Sequence, residues 1–202
     1  MEIGNRLPLG FYIRDNVISI ARDLLGKQIV SFAEGRHTSG IITETEAYNG
    51  IVDKASHAYG DRRTKRTETM YREGGVAYIY LCYGIHSLLN VVTNIKGVPH
   101  AVLIRSVMPL DGIEIMEERI GRRVKIKDGQ GPGKVTKLLG LTFADDGADL
   151  IKGDKLWIEN TKINLPEDKI SVTPRIGVDY AREDALLPYR FLTDPEYIKS
   201  TL

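Results

Sequence analysis

The spacing of apolar positions predicts one early helix followed by a series of strands. Asp15-Asn16 can cap this helix and Gly26 can end it. Its apolar face consists of Val17, Ile20, Ala21, Leu24 and Leu25. Short apolar or alternating runs predict strands at Gln28–Glu34, Thr38–Tyr48, Val76–Tyr83, Leu88–Thr93, Ala101–Val107, Lys155–Glu159 and Lys169–Thr173. Residues 49–75 are rich in Gly, Arg, Thr and Asp, which is typical of a long loop.

Two further helices are predicted at Gly112–Ile120 and Gly133–Leu139. The second is entered through Gly131-Pro132 and ended by Gly140. Many strands follow one another without regular strand–helix alternation, which favours an α+β fold over a doubly wound sheet. We therefore expect a single domain over residues 1–202. Its sheet should be mixed, largely antiparallel and curved, with flanking helices and a protruding β-hairpin.

Composition limits the classes of protein to which the chain can belong. Hydrophobic residues make up 42% and charged residues 27%, which excludes a disordered chain. No apolar run is long enough to cross a bilayer, and the first residues lack the layout of a secretory signal. The single cysteine, Cys82, excludes an intramolecular disulfide and a Cys-rich zinc site. We expect a cytoplasmic protein without a membrane partner.

The net charge of +1 conceals an uneven distribution along the chain. Residues 119–137 contain seven bases and one acid, a net charge of +6. From residue 141 onward, twelve acids and eight bases give −4. Such a polarised molecule can attract phosphates on one side, although a solvated surface of uneven charge explains the pattern equally well.

Candidate catalytic residues lie in the predicted strand Thr38–Tyr48. Side chains alternate along a strand, so Glu44, Glu46 and Tyr48 should share one face. A carboxylate beside aromatic rings can activate water against a flat, stacked substrate. Arg105 ends an apolar strand and should point inward or line a cleft. It can form a structural salt bridge, or it can lie beside Glu46 and orient a water.

Tyr78–His86 is a second informative segment. Tyr80 could line a pocket, and Tyr83 could project from a hairpin turn beside Gly84. Exposed rings near basic residues suit base stacking or wedging into a duplex. The alternative is that these tyrosines are strand-forming aromatic residues packed in a core. Asn90, in an apolar strand, is either a satisfied core amide or a gate that inspects a substrate edge.

The segment Gly129–Lys134 invites a nucleotide-binding interpretation, but it does not fit. A phosphate loop needs Ser or Thr after the lysine, where this chain has Val135. What remains is a Gly-rich helix entry, in which free amides at Gly131 and Gly133 beside Lys134 could hold one phosphate of a polymer. An ordinary helix start explains it too. The four histidines lack metal-binding spacing, so no metal or cofactor is expected.

Taken together, these segments resemble the alkyladenine (3-methyladenine, or methylpurine) DNA glycosylase family of the mixed α/β type, which lacks a helix-hairpin-helix. The resemblance runs from Arg6-Leu7 to Arg190-Phe191. It includes Gly40–Gly50, Ala55–His57, Tyr78–Gly84, Asn90, Leu103–Arg105, Pro109–Gly112, Gly131–Lys134 and Arg175–Val178. At His86 the family often carries an aromatic residue.

The resemblance implies roles for individual residues. Glu46 resembles the general base that activates the water attacking the sugar C1′. Arg105 resembles the arginine that helps to hold this water, with the main-chain carbonyl of Ile176, a residue expected at the base pocket, as a further partner. Tyr83 resembles the wedge that enters the minor groove and fills the gap left by the flipped nucleotide.

The remaining implied roles concern the pocket for the damaged base. Tyr48, His57 and Tyr80 resemble the residues that sandwich the extruded base, and His57 is expected to contact the base edge through its backbone amide. Asn90 resembles the residue that crowds the exocyclic amine of guanine and rejects the normal base.

The predicted function is that of a monomeric, monofunctional enzyme that releases alkylated or deaminated purines from double-stranded DNA. No lysine in the two strands is placed as an amine nucleophile, so an abasic site without strand cleavage is expected. Two alternatives stay open at this point. One is a non-catalytic module that grips RNA or damaged bases, and the other is a hydrolase of free nucleosides.

Overall fold

The computed structural model describes residues 5–202, and eight strands form one sheet in it. The strands are β1 Gln28–Ala33, β2 Arg36–Tyr48, β3 Ala77–Cys82, β4 His86–Thr93, β5 His100–Pro109, β6 Leu156–Glu159, β7 Ser171–Thr173 and β8 Arg190–Leu192. Their order is β3-β4-β5-β2-β1-β6, while β8 pairs with both β2 and β7. Every one of these strand pairs is antiparallel.

In this part of the chain five α-helices accompany the sheet, and they are α1 Leu9–Tyr12, α2 Val17–Asp23, α3 Ile113–Ile120, α4 Pro132–Leu139 and α5 Pro195–Thr201. The predicted α+β fold with a largely antiparallel, curved sheet is confirmed. Prediction missed α1, α5 and β8, and the predicted loop 49–75 contains three short 3-10 turns. Within residues 5–202, no helix has the length and apolar character that a membrane span requires.

The main core lies between the sheet and helices α2 and α4. It includes the fully buried side chains of Ile20, Leu24, Ile42, Leu89, Ile104, Val107 and Leu138. Thr45 also faces this side, because its hydroxyl donates to the carbonyl of Ala21 in α2 at 2.7 Å. Glu46 and Arg105 follow Thr45 and Ile104 in sequence and lie on the opposite face of the sheet. This opposite face carries the polar groups of the candidate site.

A pair of irregularities at the centre of the sheet sets the direction of these polar groups. Ile42 pairs with Val107, Glu44 with Ser106 and Thr45 with Ile104, so the pairing passes over Thr43 and Arg105. Ile42 and Thr45 both face the helices although they are three residues apart, as expected for a β-bulge. Beyond the bulge, the predicted alternation holds, and Glu44, Glu46 and Tyr48 share one face.

The hairpin that joins β3 to β4 projects into solvent, as predicted. Its turn is closed by a hydrogen bond from the amide of Ile85 to the carbonyl of Cys82 at 3.1 Å. Tyr83 and Gly84 both have positive φ values, of 51° and 71°, which is typical of a type I′ turn. Consequently the ring of Tyr83 is 93% exposed.

We expect Ile104→Ala to lower the free energy of unfolding by roughly 2–5 kcal/mol, because it leaves a cavity between β5 and the helices. Ile85→Ala, at the exposed hairpin, removes the same atoms and should change it by less than about 0.5 kcal/mol. Urea denaturation of both variants measures the difference. Equal losses in the two variants would contradict the described core.

Candidate active site

The carboxylate of Glu46 lies at the centre of the polar face and has no exposed surface (0%). Its Oε1 accepts a hydrogen bond from the amide of Ile176 at 2.8 Å, and the Nη1 of Arg105 is 3.3 Å from the same oxygen. Its Oε2 accepts a hydrogen bond from the hydroxyl of Tyr48 at 2.8 Å. Glu46 is therefore held by one cation and two neutral donors.

Burial and these donors act on the pKa of Glu46 in opposite directions. Desolvation is the largest effect and raises the pKa above its ordinary value, whereas Arg105, the Ile176 amide and the Tyr48 hydroxyl each lower it. The pKa of Tyr48 is raised by burial and by the adjacent charge of Glu46. Tyr48 thus keeps its proton and remains a donor to the carboxylate.

Arg175 fixes the segment that covers Glu46. Its guanidinium is fully buried and forms an ion pair with Asp53, with Nη2 2.9 Å from Oδ1, and it also donates to the carbonyl of Ala47 at 2.9 Å. The same guanidinium lies 4.9 Å from the ring centre of Tyr48. Arg175 therefore positions both the next residue, Ile176, and the ring that donates to Glu46.

An aromatic cleft adjoins the carboxylate through Tyr48. It is lined by Tyr48, Ala55, His57, Met70, Tyr78, Tyr80, Asn90, Ala101 and Tyr180. The predicted pocket residues Tyr48, His57, Tyr80 and Asn90 thus come together in one cleft. The rings of His57 and Tyr80 meet edge to face with centres 4.6 Å apart. Flat walls of this kind suit a planar aromatic ligand.

His57 enters the cleft as a neutral imidazole. Burial, with smaller effects from Arg66 and Arg62, lowers its pKa to about 4. The Nη2 of Arg66 can only donate and lies 3.2 Å from Nε2, so Nδ1 carries the proton and donates to the hydroxyl of Tyr78 at 2.9 Å. Among residues 5–202, no acceptor binds the backbone amide of His57.

Asn90 lines the cleft with a fixed orientation. It is buried in β4, and its Nδ2 donates to the backbone carbonyl of Tyr78 across the sheet at 3.1 Å. The side chain is thus a satisfied core amide and a wall of the cleft at the same time. Its rigid attachment to the sheet is what a residue needs in order to exclude a substrate group by contact.

Comparisons with known proteins place the chain in a family. The model of the methylpurine-DNA glycosylase family matches residues 10–196. A relative from Chlamydia felis is 47% identical over 188 residues, covering 92% of this chain and 95% of the relative. Relatives from Bacillus thuringiensis and Clostridium perfringens are 42% and 39% identical, covering 91% and 92% of this chain and 93% and 94% of their own. All three carry the name 3-methyladenine DNA glycosylase as a provisional assignment.

The chain belongs to the methylpurine-DNA glycosylase family. It is accordingly a DNA glycosylase, an enzyme of DNA repair. The family resemblance of the sequence is confirmed over nearly the whole chain.

At Ile176 this glycosylase makes a contact that the prediction did not include. The prediction gave Ile176 a role through its carbonyl group and placed it in the base pocket. In the structure its amide N–H donates to Glu46, and its side chain is half exposed and outside the lining of the cleft. The backbone turns directly after this residue, at Gly177, whose φ is 75°.

The expectation of free amides at the start of α4 is wrong for Gly131. Its N–H donates to the carbonyl of Arg105 at 2.9 Å, which ties the helix start to β5. The amide of Lys134 bonds within the first turn of α4. Gly133 packs against the hairpin, since a Cβ built there would lie 3.2 Å from the side chain of His86. Of the two glycine amides that were predicted to be free, the helix geometry leaves that of Gly133 for an external acceptor.

Charge in the basic segment 119–137 is also partly used inside the molecule. Arg122 forms a two-point ion pair with Asp128, both contacts being 2.6 Å. Arg119 donates to the carbonyl of Leu138 at 2.7 Å. The surface available to phosphates is therefore less positive than the count of residues suggests.

Sequence reasoning missed Tyr180 as a cleft residue. Its ring is 66% exposed, and its hydroxyl donates to the carbonyl of Ala55 at 3.0 Å, joining two loops at the mouth of the cleft. It also missed Arg175 as the anchor of the covering segment. Both residues act through contacts between distant loops, and the only local indication was that Arg175–Val178 belongs to the matched motifs.

We expect Arg66→Ala to raise the pKa of His57 above about 4, because the loss of a nearby positive charge makes protonation of the imidazole easier. The ring proton signals of His57, followed by NMR against pH, measure this pKa. Arg63→Ala is the matched control, since its guanidinium lies over Tyr71 and not over the cleft. An unchanged midpoint in Arg66→Ala would contradict the described contact.

Proposed function

We propose that this DNA glycosylase releases alkylated or deaminated purines, such as 3-methyladenine and hypoxanthine, by hydrolysis with a water activated by Glu46. The observation that carries the proposal is the position of Tyr48, which lines the aromatic cleft and donates a hydrogen bond to Glu46. One side chain thereby links the surface that would stack the base to the group that would perform the chemistry. The names of the relatives agree with the proposed substrate class.

The proposed chemistry requires that the damaged base leaves the duplex and that one carboxylate is enough for hydrolysis. A base inside a duplex cannot present its glycosidic bond to a protein group, so the nucleotide must turn out of the helix. An alkylated purine is electron-poor, stacks well against Tyr48 and Tyr80, and is already a good leaving group. A single carboxylate can then suffice, unlike the paired carboxylates of most sugar hydrolases. The neutral state of His57 avoids repulsion of a cationic base.

Water must reach a carboxylate that is closed to solvent in this structure. The Oε2 of Glu46 accepts one hydrogen bond, from Tyr48, so that a second lone pair of this oxygen can accept a water proton. The half-exposed Ile176 covers the other oxygen. We propose that binding of the everted nucleotide displaces this cover far enough for one water to enter between Glu46 and the sugar.

Recognition of duplex DNA is assigned to the hairpin and the start of α4. The exposed Tyr83 would enter the minor groove and fill the space of the everted nucleotide, at a cost of a few kcal/mol for unstacking. Gly133 and Lys134 lie beside the hairpin and would meet a phosphate. The whole chain would act as one glycosylase domain and as a monomer.

The base pocket would discriminate by contact. Asn90 would crowd the exocyclic amine of guanine, and the free amide of His57 would bind the edge of an accepted base. Within residues 5–202, lysine is absent from the lining of the cleft. The absence of an amine nucleophile supports monofunctional hydrolysis that leaves an abasic site.

We expect Glu46→Gln to lower the rate of base release by about 10²–10⁴-fold, because the amide cannot accept the proton of the attacking water. Single-turnover reactions on duplexes containing 3-methyladenine or hypoxanthine measure this rate. Wild-type product strands should break only after treatment with alkali. Glu118→Gln, at a surface carboxylate paired with Arg36, is the matched control. Base release by Glu46→Gln at near the wild-type rate would show that Glu46 is not the base. If the wild-type protein bound lesion duplexes but released no base, a non-catalytic module would be favoured.

Tyr83→Ser should weaken binding to a lesion-containing duplex by about fivefold or more, because ring stacking contributes roughly 1–3 kcal/mol per base. Fluorescence anisotropy with lesion and undamaged duplexes measures the change. Phe32→Ser removes an exposed ring on β1, away from the cleft, and should leave binding unchanged. Equal affinity of Tyr83→Ser and wild type would remove the proposed wedge.

A further inference from the structure

Arg105 contacts a second carboxylate, that of Glu44. Its Nε donates to Oε1 of Glu44 at 2.9 Å, while its Nη1 reaches Glu46 at 3.3 Å. The Nε of Arg190, in β8, donates to the same oxygen of Glu44 at 2.6 Å. Arg190, Glu44, Arg105 and Glu46 therefore form a row of alternating charges, which the bulge in β2 and β5 brings onto one face of the sheet.

The row depends on the negative charge of Glu44. Two guanidinium groups share one oxygen of Glu44, and like charges this close repel unless a negative charge lies between them. Arg190 is held on its far side, since its Nη1 donates to the hydroxyl of Thr173 at 3.2 Å. Without the charge of Glu44, the Nε of Arg105 would lose its anionic partner and the repulsion between the two guanidinium groups would be unbalanced, so the orientation that brings Nη1 to Glu46 would no longer be held.

Glu44 lies outside the aromatic cleft. It lines a separate polar cleft with Thr43, Ser106, Gln130, Ser171, Arg190, Leu192, Thr193, Asp194 and Pro195. Its side chain is 14% exposed, whereas that of Glu46 is fully covered. Glu44 is therefore not part of the wall that would meet a base between Tyr48 and Tyr80, and Arg105 is the side chain that contacts both Glu44 and Glu46.

We propose that Glu44 is a positioning residue that, together with Arg190, holds Arg105 in place against Glu46. The proposal rests on the proposed function, in which Glu46 is the general base. By holding Arg105 there, Glu44 would keep Glu46 in the ionised state that accepts a proton from water.

The direction in which the pKa of Glu46 shifts after loss of the Glu44 charge distinguishes this positioning role from a direct electrostatic effect of Glu44. The charged and titratable groups around Glu46 are Glu44 and Tyr48 from β2, Arg105 from β5, Arg190 from β8, Tyr180 at the mouth of the aromatic cleft, and Arg175 with the Ile176 amide in the covering segment. The charge of Glu44 by itself raises the pKa of Glu46. If Arg105 stayed in place after loss of that charge, the pKa would fall. If Arg105 moved away, the loss of the stronger cationic effect would raise it.

The test is Glu44→Gln, which keeps the size of the side chain and removes its charge. ¹³C NMR of labelled glutamate side chains, with Glu46→Gln to assign the signal, should show the pKa of Glu46 raised by about one unit or more. The acid limb of the pH profile for single-turnover base release should move up by the same amount. Affinity for a lesion duplex should stay within about twofold of wild type. A downward shift, or no shift, would overturn the proposal.

Two further variants keep the test decisive. Glu118→Gln removes a surface carboxylate and should leave the pKa of Glu46 unchanged. If Glu44→Gln does not fold, Glu44→Asp retains the charge on a shorter side chain, and a smaller upward shift in that variant supports the proposal, while no shift overturns it. The NMR measurement stands apart from activity. Should Glu46→Gln release bases normally, the proposed function fails, whereas a normal pKa in Glu44→Gln with an inactive Glu46→Gln rejects only the positioning role.

Discussion

A carboxylate without solvent contact sits at the centre of this sheet, and its stabilisation is the constraint around which the site is built. An unpaired charge in such a position would be strongly unfavourable, so Glu46 needs donors on every side. Arg105 supplies the cation, while the Ile176 amide and the Tyr48 hydroxyl supply neutral hydrogen bonds. Each donor comes from a different part of the polar face or its cover. The cleft wall, the arginine and the covering loop are consequently coupled through one side chain.

The fold meets this constraint by separating its two faces. Helices α2 and α4 cover one face with an apolar core, and the β-bulge at residues 42–45 directs the acidic side chains to the other. Tyr48 then serves two neighbours, because it donates to Glu46 and forms a wall of the cleft. Its other contact, the buried Arg175–Asp53 pair, ties the covering segment to the same ring. A displacement of the covering segment would therefore change the contacts of Tyr48, which forms the wall of the cleft.

The sequence predicted those features that arise from local pattern. Alternation along β2 correctly grouped Glu44, Glu46 and Tyr48, and the dipeptide Tyr83-Gly84 correctly marked the exposed turn. Several features that arise from contacts between distant segments were missed. The strand β8 has only three residues, too few to show a period, and yet it brings Arg190 to Glu44.

The errors have the same physical origin. The amide of Gly131 was expected to be free because it lies at a helix entry, and the structure supplies an acceptor for it from β5. The contact of the Ile176 amide with Glu46 depends on the path of a loop anchored by Asp53, more than a hundred residues earlier in the chain. Local sequence carries no information about such a path, whereas the family resemblance located the segment without its geometry.

The central claim is that Glu46 acts on a nucleotide held in the aromatic cleft, once its cover has moved. A crystal structure of the Glu46→Gln variant with a lesion-containing duplex tests this claim most directly. We predict the everted base between Tyr48 and Tyr80, Ile176 displaced, and a water within hydrogen-bond reach, about 3 Å, of both residue 46 and the sugar C1′. A bound nucleotide with residue 46 still sealed beneath Ile176 and without an adjacent water would contradict it.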